Sequence, residues 1–202
     1  MIKNRFLAAA VTAAILLPAI PTTAMATNGM FMMGNGTKAN GRAGVGIAMA
    51  DSAISGADNP AAMVRVGNRF DMGIQIFDPD RTATITGNGG LMTPNGLSPS
   101  VDGSYSGSDD GPFYIPEGGF NYMISDDMSV GLIVVGAGGM NTSYSNLGLF
   151  NAGAVFGMPT SSGINLEQIK ILPTLSYKVN ENHSIGVSLV TVYQQFKAMG
   201  LG

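Results

Sequence analysis

The sequence predicts an all-β fold: a transmembrane antiparallel β-barrel led by a small, partly helical N-terminal plug. Three observations predict it. The chain is 45% hydrophobic but only 11% charged, well below the roughly one-quarter charged residues of ordinary soluble domains. Its apolar residues recur at every second position, the period of a strand with two unlike faces. The segments joining those strands are alternately long and short, as in outer-membrane barrels with long outer loops and tight periplasmic turns.

The first element is a leader. Lys3 and Arg5 precede an uncharged apolar run from Phe6 to about Ile20, followed by the small-x-small pattern Ala24-Met25-Ala26. This is the form of a secretory signal peptide, residues 1–26, cleaved before Thr27. The run is shorter than the roughly 20 residues that a spanning helix needs. Removing it takes away two of the ten basic residues and none of the thirteen acidic ones, leaving eight against thirteen, a net of −5. That balance leaves no basic surface for nucleic acid.

Residues 27–67 lack strand alternation. They are rich in glycine and small residues, with Met30-Phe31-Met32-Met33 in a row and a helix start at Asn59-Pro60, where Asn59 caps and Pro60 suits the first helical position. A compact segment ahead of a barrel reads as a plug.

Residues 68–202 carry five strands, at about 68–86, 113–125, 128–144, 167–179 and 184–197. In the first, Phe70, Met72, Ile74 and Ile76 share a face opposite Arg69, Asp71, Gly73 and Gln75. The next faces hold Phe120, Tyr122 and Ile124, then Val130, Leu132 and Val134, then Ile169, Ile171, Leu175 and Tyr177, then Ile185, Val187 and Leu189. None of these outward positions is charged, where a mid-bilayer Lys or Arg costs about 2–4 kcal/mol. The turns Asp126-Asp127 and Asn180–His183 are short, and the connections 87–112 and 145–166 are long. A barrel must pair every strand edge in lipid, and five strands do not close one, so the chain reads as the front part of a longer protein. The third strand runs into Gly136-Ala137-Gly138-Gly139, and glycine within a strand marks a bulge or bend.

Enzyme and metal chemistry fit poorly. "GNGTK", residues 34–38, lacks the Gly-Lys-Ser/Thr ending of a phosphate loop, and "GRAGVG", residues 41–46, has the wrong spacing for a dinucleotide fingerprint. There is one histidine, His183, in an expected turn, and no cysteine, which excludes histidine-cluster and cysteine metal sites. The acidic pairs lack calcium-loop spacing. We therefore expect no catalytic residue, no metal and no cofactor.

The segments "TNGMFMMGNGTKANGRAGVGIA", "DNPAAMVRVGNRFDMGIQIFDPDR", "GAGGMNTSY" and "NHSIGVSLVTVYQQFKAMGLG" together resemble the FadL/TodX-type outer-membrane transporters of long-chain fatty acids and other hydrophobic compounds. The resemblance implies a barrel of about fourteen strands with an N-terminal hatch in its lumen. It implies that Thr27, Asn28, Gly29, Met30 and Phe31, with Asn59, Pro60 and Ala61, form the hatch that contacts or gates ligand. It also implies that a kink at Gly136, Gly138 and Gly139 opens the wall for lateral exit. The expected partners are a hydrophobic small molecule such as a long-chain fatty acid and outer-membrane lipid, with no nucleic acid, for a monomeric protein of the Gram-negative outer membrane. The other reading is a structural or adhesive outer-membrane barrel without a transport role. Arg42, Arg65 and Arg69 are candidates to meet a carboxylate.

Overall fold

The computed structural model of the chain describes residues 30–87, 92–93, 96–97, 102–108, 110–145 and 161–200. The expected signal peptide and Thr27, Asn28 and Gly29 lie outside the described residues. The strands are β1 (Arg69–Phe77), β2 (Thr82–Ile85), β3 (Met92–Thr93), β4 (Gly96–Leu97), β5 (Gly103–Ser106), β6 (Phe113–Ser125), β7 (Met128–Tyr144), β8 (Ser162–Lys178), β9 (Ser184–Ser188) and β10 (Thr191–Met199). The main sheet runs β1-β6-β7-β8-β10, with β9 also on β8, and every pair is antiparallel. β2–β5 and β3–β4 form two small sheets between β1 and β6 in the chain. The main sheet is open, with β1 at one edge and β10 at the other. No helix among the described residues is long and apolar enough to cross a membrane, which says nothing about crossing by strands.

β6 and β7 have the bounds the alternation predicts. The first strand instead stops at Phe77, and the chain resumes as β2, paired with β5. Pro79, in Asp78-Pro79-Asp80, has no N–H to give to a ladder. β8 begins at Ser162 rather than near 167, because Met140–Tyr144 of β7 supply a partner for it there. The last strand is divided in two although its register is unbroken, from Ser188 opposite Thr174 to Thr191 opposite Ile171. Pro173 accepts the Leu189 N–H at 3.1 Å but cannot return one.

Side chains sort by face as the period of two requires. Phe70, Met72, Ile74, Ile76, Phe120, Tyr122, Ile124, Leu132, Leu175, Tyr177, Ile185 and Val187 are exposed on one face. The register joins them into rows, such as Tyr122 to Val130 to Leu175 to Val187. Asn121, Ser129, Ile133, Val135, Leu172, Thr174 and Ser176 are buried on the other.

Against that second face lies the N-terminal segment, made of a short helix α1 (Thr37–Gly41) and two 3₁₀ turns, Ala53–Ala57 and Pro60–Arg65. The second turn starts where the sequence places a helix start: the Asn59 side chain accepts the Ala61 N–H at 3.1 Å. The core is where segment and sheet meet, with Ile54 and Met63 packed on Ile133, Val135 and Leu172. Each such side chain contributes about 1.5–3 kcal/mol on burial.

Polar side chains on the sheet then fix the segment's backbone. Asn121 Nδ2 donates to Met63 O and Gly67 O, both at 2.9 Å. Ser176 Oγ accepts from Val64 N at 3.2 Å, and Ser184 Oγ donates to Ala61 O at 3.0 Å. Asp71 accepts from Ala53 N at 2.8 Å. A methyl group at Gly186 would collide with Pro60, so the turn reaches β9 only over bare backbone.

Candidate functional site

Pairing between β6 and β7 stops at Glu117 opposite Val135. Above that point β6 residues 113–116 stay paired with β1, and β7 from Gly136 onward stays paired with β8, so the two strands part. The departure coincides with a bulge in which Gly136 faces Ile169 and Gly138 faces Gln168, leaving Ala137 extra. An extra residue bends the strand that carries it. Higher up, the Ser143 N–H donates to Gly107 O at 3.0 Å, and Arg81 Nη1 donates to Asn141 Oδ1 at 3.1 Å. The result is a window in the sheet, framed below by Glu117 and Val135 and above by Gly107 and Ser143. At about 3.3 Å per residue it is about 25 Å tall along β7.

Met30 and Phe31 occupy part of that window. The Gly139 N–H donates to Met30 O at 2.9 Å, and Phe31 forms an antiparallel bridge with Gly138. A Cβ on Gly138 would collide with the Met30 carbonyl, so only glycine admits the contact.

Around the window is a cavity of about 880 Å³. Its walls on the segment side include Met30, Phe31, Phe113, Ile115 and Leu166, and on the opposite face Ile76, Tyr114, Ile169 and Tyr193. Because residues of both faces line one cavity, it runs through the sheet. The volume suits a drug-sized apolar molecule.

A second cavity is small, about 60 Å³, and polar, beside α1. Its acids are already satisfied. Glu117 accepts from Thr37 N at 2.8 Å, Thr37 Oγ1 at 2.6 Å and Gln75 Nε2 at 3.2 Å. Asp58 accepts from Asn35 Nδ2 at 2.7 Å, and Asp51 pairs with Arg42 at 2.6 Å. The Arg42 hydrogen bond holds the Asp51 carboxyl below the usual carboxylate range. These contacts hold the segment together.

Of the residues singled out in the sequence, Met30, Phe31, Gly136, Gly138 and Gly139 come together at the window. Thr27, Asn28 and Gly29 lie outside the described residues. Asn59, Pro60 and Ala61 sit at the far end of the segment, on β8 and β9, and do not line the cavity. The three candidate arginines are all engaged elsewhere: Arg42 with Asp51, Arg69 with Asp71 at 2.6 Å, and Arg65 with Glu181 O at 3.0 Å. The glycines of residues 34–46 are packing devices, Gly34 at φ 80° and Gly44 at φ 88° lying close against each other. His183 is an exposed turn residue whose N–H donates to Asn180 Oδ1 at 2.9 Å. Sequence reasoning missed Ile115, Leu166 and Gln168, since which strand gap a side chain borders depends on pairing and not on alternation.

Residues 19–200 match the model of one family, described as outer membrane protein transport protein (OMPP1/FadL/TodX). The chain belongs to that family. Comparison with curated proteins and with solved structures gives no match. Members of the FadL/TodX family are outer-membrane transport proteins for hydrophobic compounds and not enzymes. A mostly antiparallel sheet with one apolar, exposed face agrees with that family's β-barrel architecture.

Proposed function

We propose that this chain contributes to a monomeric outer-membrane channel for passive uptake of long-chain fatty acids or other hydrophobic compounds. In this reading residues 27–67 are a hatch inside the barrel, substrate occupies the cavity beside Met30 and Phe31, and it leaves sideways into lipid past Gly136, Gly138 and Gly139. The observation that carries the proposal is the single cavity lined from both faces of the sheet at the point where β6 and β7 part. A structural barrel filled by its own side chains has no use for such a passage.

The energetics suit a passive route. Each methylene that leaves water gains about 0.8 kcal/mol, so a long acyl chain reaches a bilayer downhill and needs only a dry path past the polar outer layer. Met30 and Phe31 lie across that path, held by one ladder hydrogen bond and one bridge. That hold is weak enough to release.

Uptake of a labelled fatty acid by cells carrying the complete protein tests the reading. Gly138→Trp and Gly139→Trp should cut uptake to near background while the protein still inserts in the outer membrane. Unchanged uptake with normal insertion would remove lateral exit from the mechanism.

A further inference from the structure

The large cavity carries one charge in its lining, and that charge is negative. Among the described residues that border it, Glu167 is the sole acid and there is no Lys or Arg; the other polar side chains are amides and tyrosine hydroxyls. Glu167 lies opposite Gly139 on β7 and Gln195 on β10. Its parity along β8 is that of Ile169 and Ile171, which places it on the outer face. Gly139 puts no side chain between the carboxylate and the mouth of the window. Two residues below, Ile169 faces Gly136 and Tyr193; two above, Asn165 faces Asn141 and Lys197. Glu167 therefore stands where the apolar outer face gives way to polar side chains, at the outer mouth of the passage.

Little on the sheet satisfies this carboxylate. Asn165 Nδ2 donates to its Oε1 at 2.8 Å, whereas a carboxylate has room for about four donors. Lys197, diagonal to it on the same face, and Lys170, on the inner face, both lie outside the lining. The ion pairs of the described residues are Arg42 with Asp51, Arg69 with Asp71, and Lys178 with Asp127 and Glu181, so none reaches Glu167. Arg81, at the top of the window, is engaged by Asn141 Oδ1 at 3.1 Å and Asp110 O at 3.3 Å. On the inner side of the same cavity Gln168 donates Nε2 to Gln194 and keeps a buried Oε1 without a hydrogen-bond partner. Each side of the sheet thus offers an acceptor to an occupant of the passage, and the lining offers no cation.

We infer that Glu167 sets the head-group preference of the passage, favouring hydrophobic compounds whose polar end is a hydrogen-bond donor without negative charge, an ammonium above a hydroxyl, and disfavouring carboxylates of equal length. This rests on the reading of the cavity as the transport path. The tail lies against Met30 and Phe31 whatever the head, so tail burial does not discriminate. The head does: a protonated amine is attracted to Glu167, a hydroxyl donates to it, and a second carboxylate beside it is repelled. Gln168 Oε1 gives the same donor head an acceptor on the inner side.

The test uses the complete protein in a non-ionic detergent, with equilibrium binding of hexadecylamine, hexadecan-1-ol and hexadecanoate measured at neutral pH on wild type, Glu167→Gln and Glu167→Lys. Comparing each affinity ratio between proteins cancels the partition of the probes into micelles. Attraction of the amine and repulsion of the carboxylate are each worth about threefold for a solvated charge pair, so the amine-to-carboxylate ratio should fall about tenfold in Glu167→Gln. It should fall further in Glu167→Lys, with the alcohol changing least. Glu167 is exposed, and heat-modified gel mobility checks that both variants fold. A ratio unchanged in both variants, with the probes still bound, would overturn the role of Glu167 and leave the transport reading standing. Failure of the wild type to bind any of the three probes would overturn both.

Discussion

Replacing Gly138 by alanine isolates the contact between the N-terminal segment and the window. The glycine is not at a positive φ, so β7 tolerates the new methyl group, and the ladder to Gln168 is a backbone pairing that the change leaves in place. What the methyl group cannot share space with is the Met30 carbonyl. Met30 must retreat, and the Gly139 N–H loses its acceptor. One lost hydrogen bond costs about 0.5–1.5 kcal/mol, and leaving the donor without a partner brings the total to about 1–3 kcal/mol. Local opening should therefore become about 5- to 150-fold easier. We expect the Gly139 amide to exchange faster by that factor, while amides at Gly131 and Ile133, lower on the same strand, keep their wild-type rates. A single methyl group leaves most of the cavity empty, so Gly138→Ala should also admit substrate faster, opposite to the tryptophan variant. Unchanged exchange at Gly139 in Gly138→Ala would show that Met30 does not hold the window.

The other predictions concern how the segment is held to the sheet. Asn121→Leu leaves Met63 O and Gly67 O without their donor in a fully buried place; we expect a loss of about 2–3 kcal/mol, read as faster proteolysis within residues 60–67, and an unchanged rate would refute it. Asn59→Ala removes the cap on Ala61 and the hydrogen bond to Ile47 O, which should cost about 0.5–2 kcal/mol in the same assay. For Asp51, the folded carboxyl titrates below its unfolded value of about 3.9. Its stabilising contribution is therefore complete above that value and is lost as pH falls through the lower, folded one. Arg42→Met should weaken this acid dependence of segment protection, Ser55 and Lys38 supplying the remainder, and a dependence unchanged by the substitution would exclude the pair as its main cause.

The sequence made the sheet legible because a bilayer imposes a strict rule on one face. Phe70, Tyr122, Leu175 and Val187 are apolar at every outward turn of the pleat, so strand positions followed from parity alone. The start of β8 at Ser162 was not legible, since Ser162–Leu166 owe their strand conformation to a partner and not to an alternating pattern. The interruption after Phe77 was marked in the sequence by Pro79, but the partner that β2 takes beyond it was not. For the site, glycine content together with the family resemblance pointed to Gly136, Gly138 and Gly139, and the resemblance pointed to Met30 and Phe31. What lay beyond reach was orientation. Arg42, Arg65 and Arg69 are cations of the right chemistry, yet each is consumed by a neighbour that only tertiary structure brings near.

Contacts between the N-terminal segment and the sheet are graded along its length. At the lower end, residues 53–67 are tied by buried apolar contacts through Ile54 and Met63 and by backbone groups that donate to Asp71 and Ser176 and accept from Asn121 and Ser184. In the middle, Thr37 is held twice by Glu117. At the upper end, Met30 and Phe31 have one ladder hydrogen bond and one bridge, and Phe31 and Met33 remain more than half exposed. Local opening free energy follows the density of such contacts, so it must fall from the Met63 end to the Met30 end. A segment anchored in this graded way can release its tip without leaving the sheet. Any opening at the window should therefore displace Met30 and Phe31 first and leave residues 53–67 on the sheet.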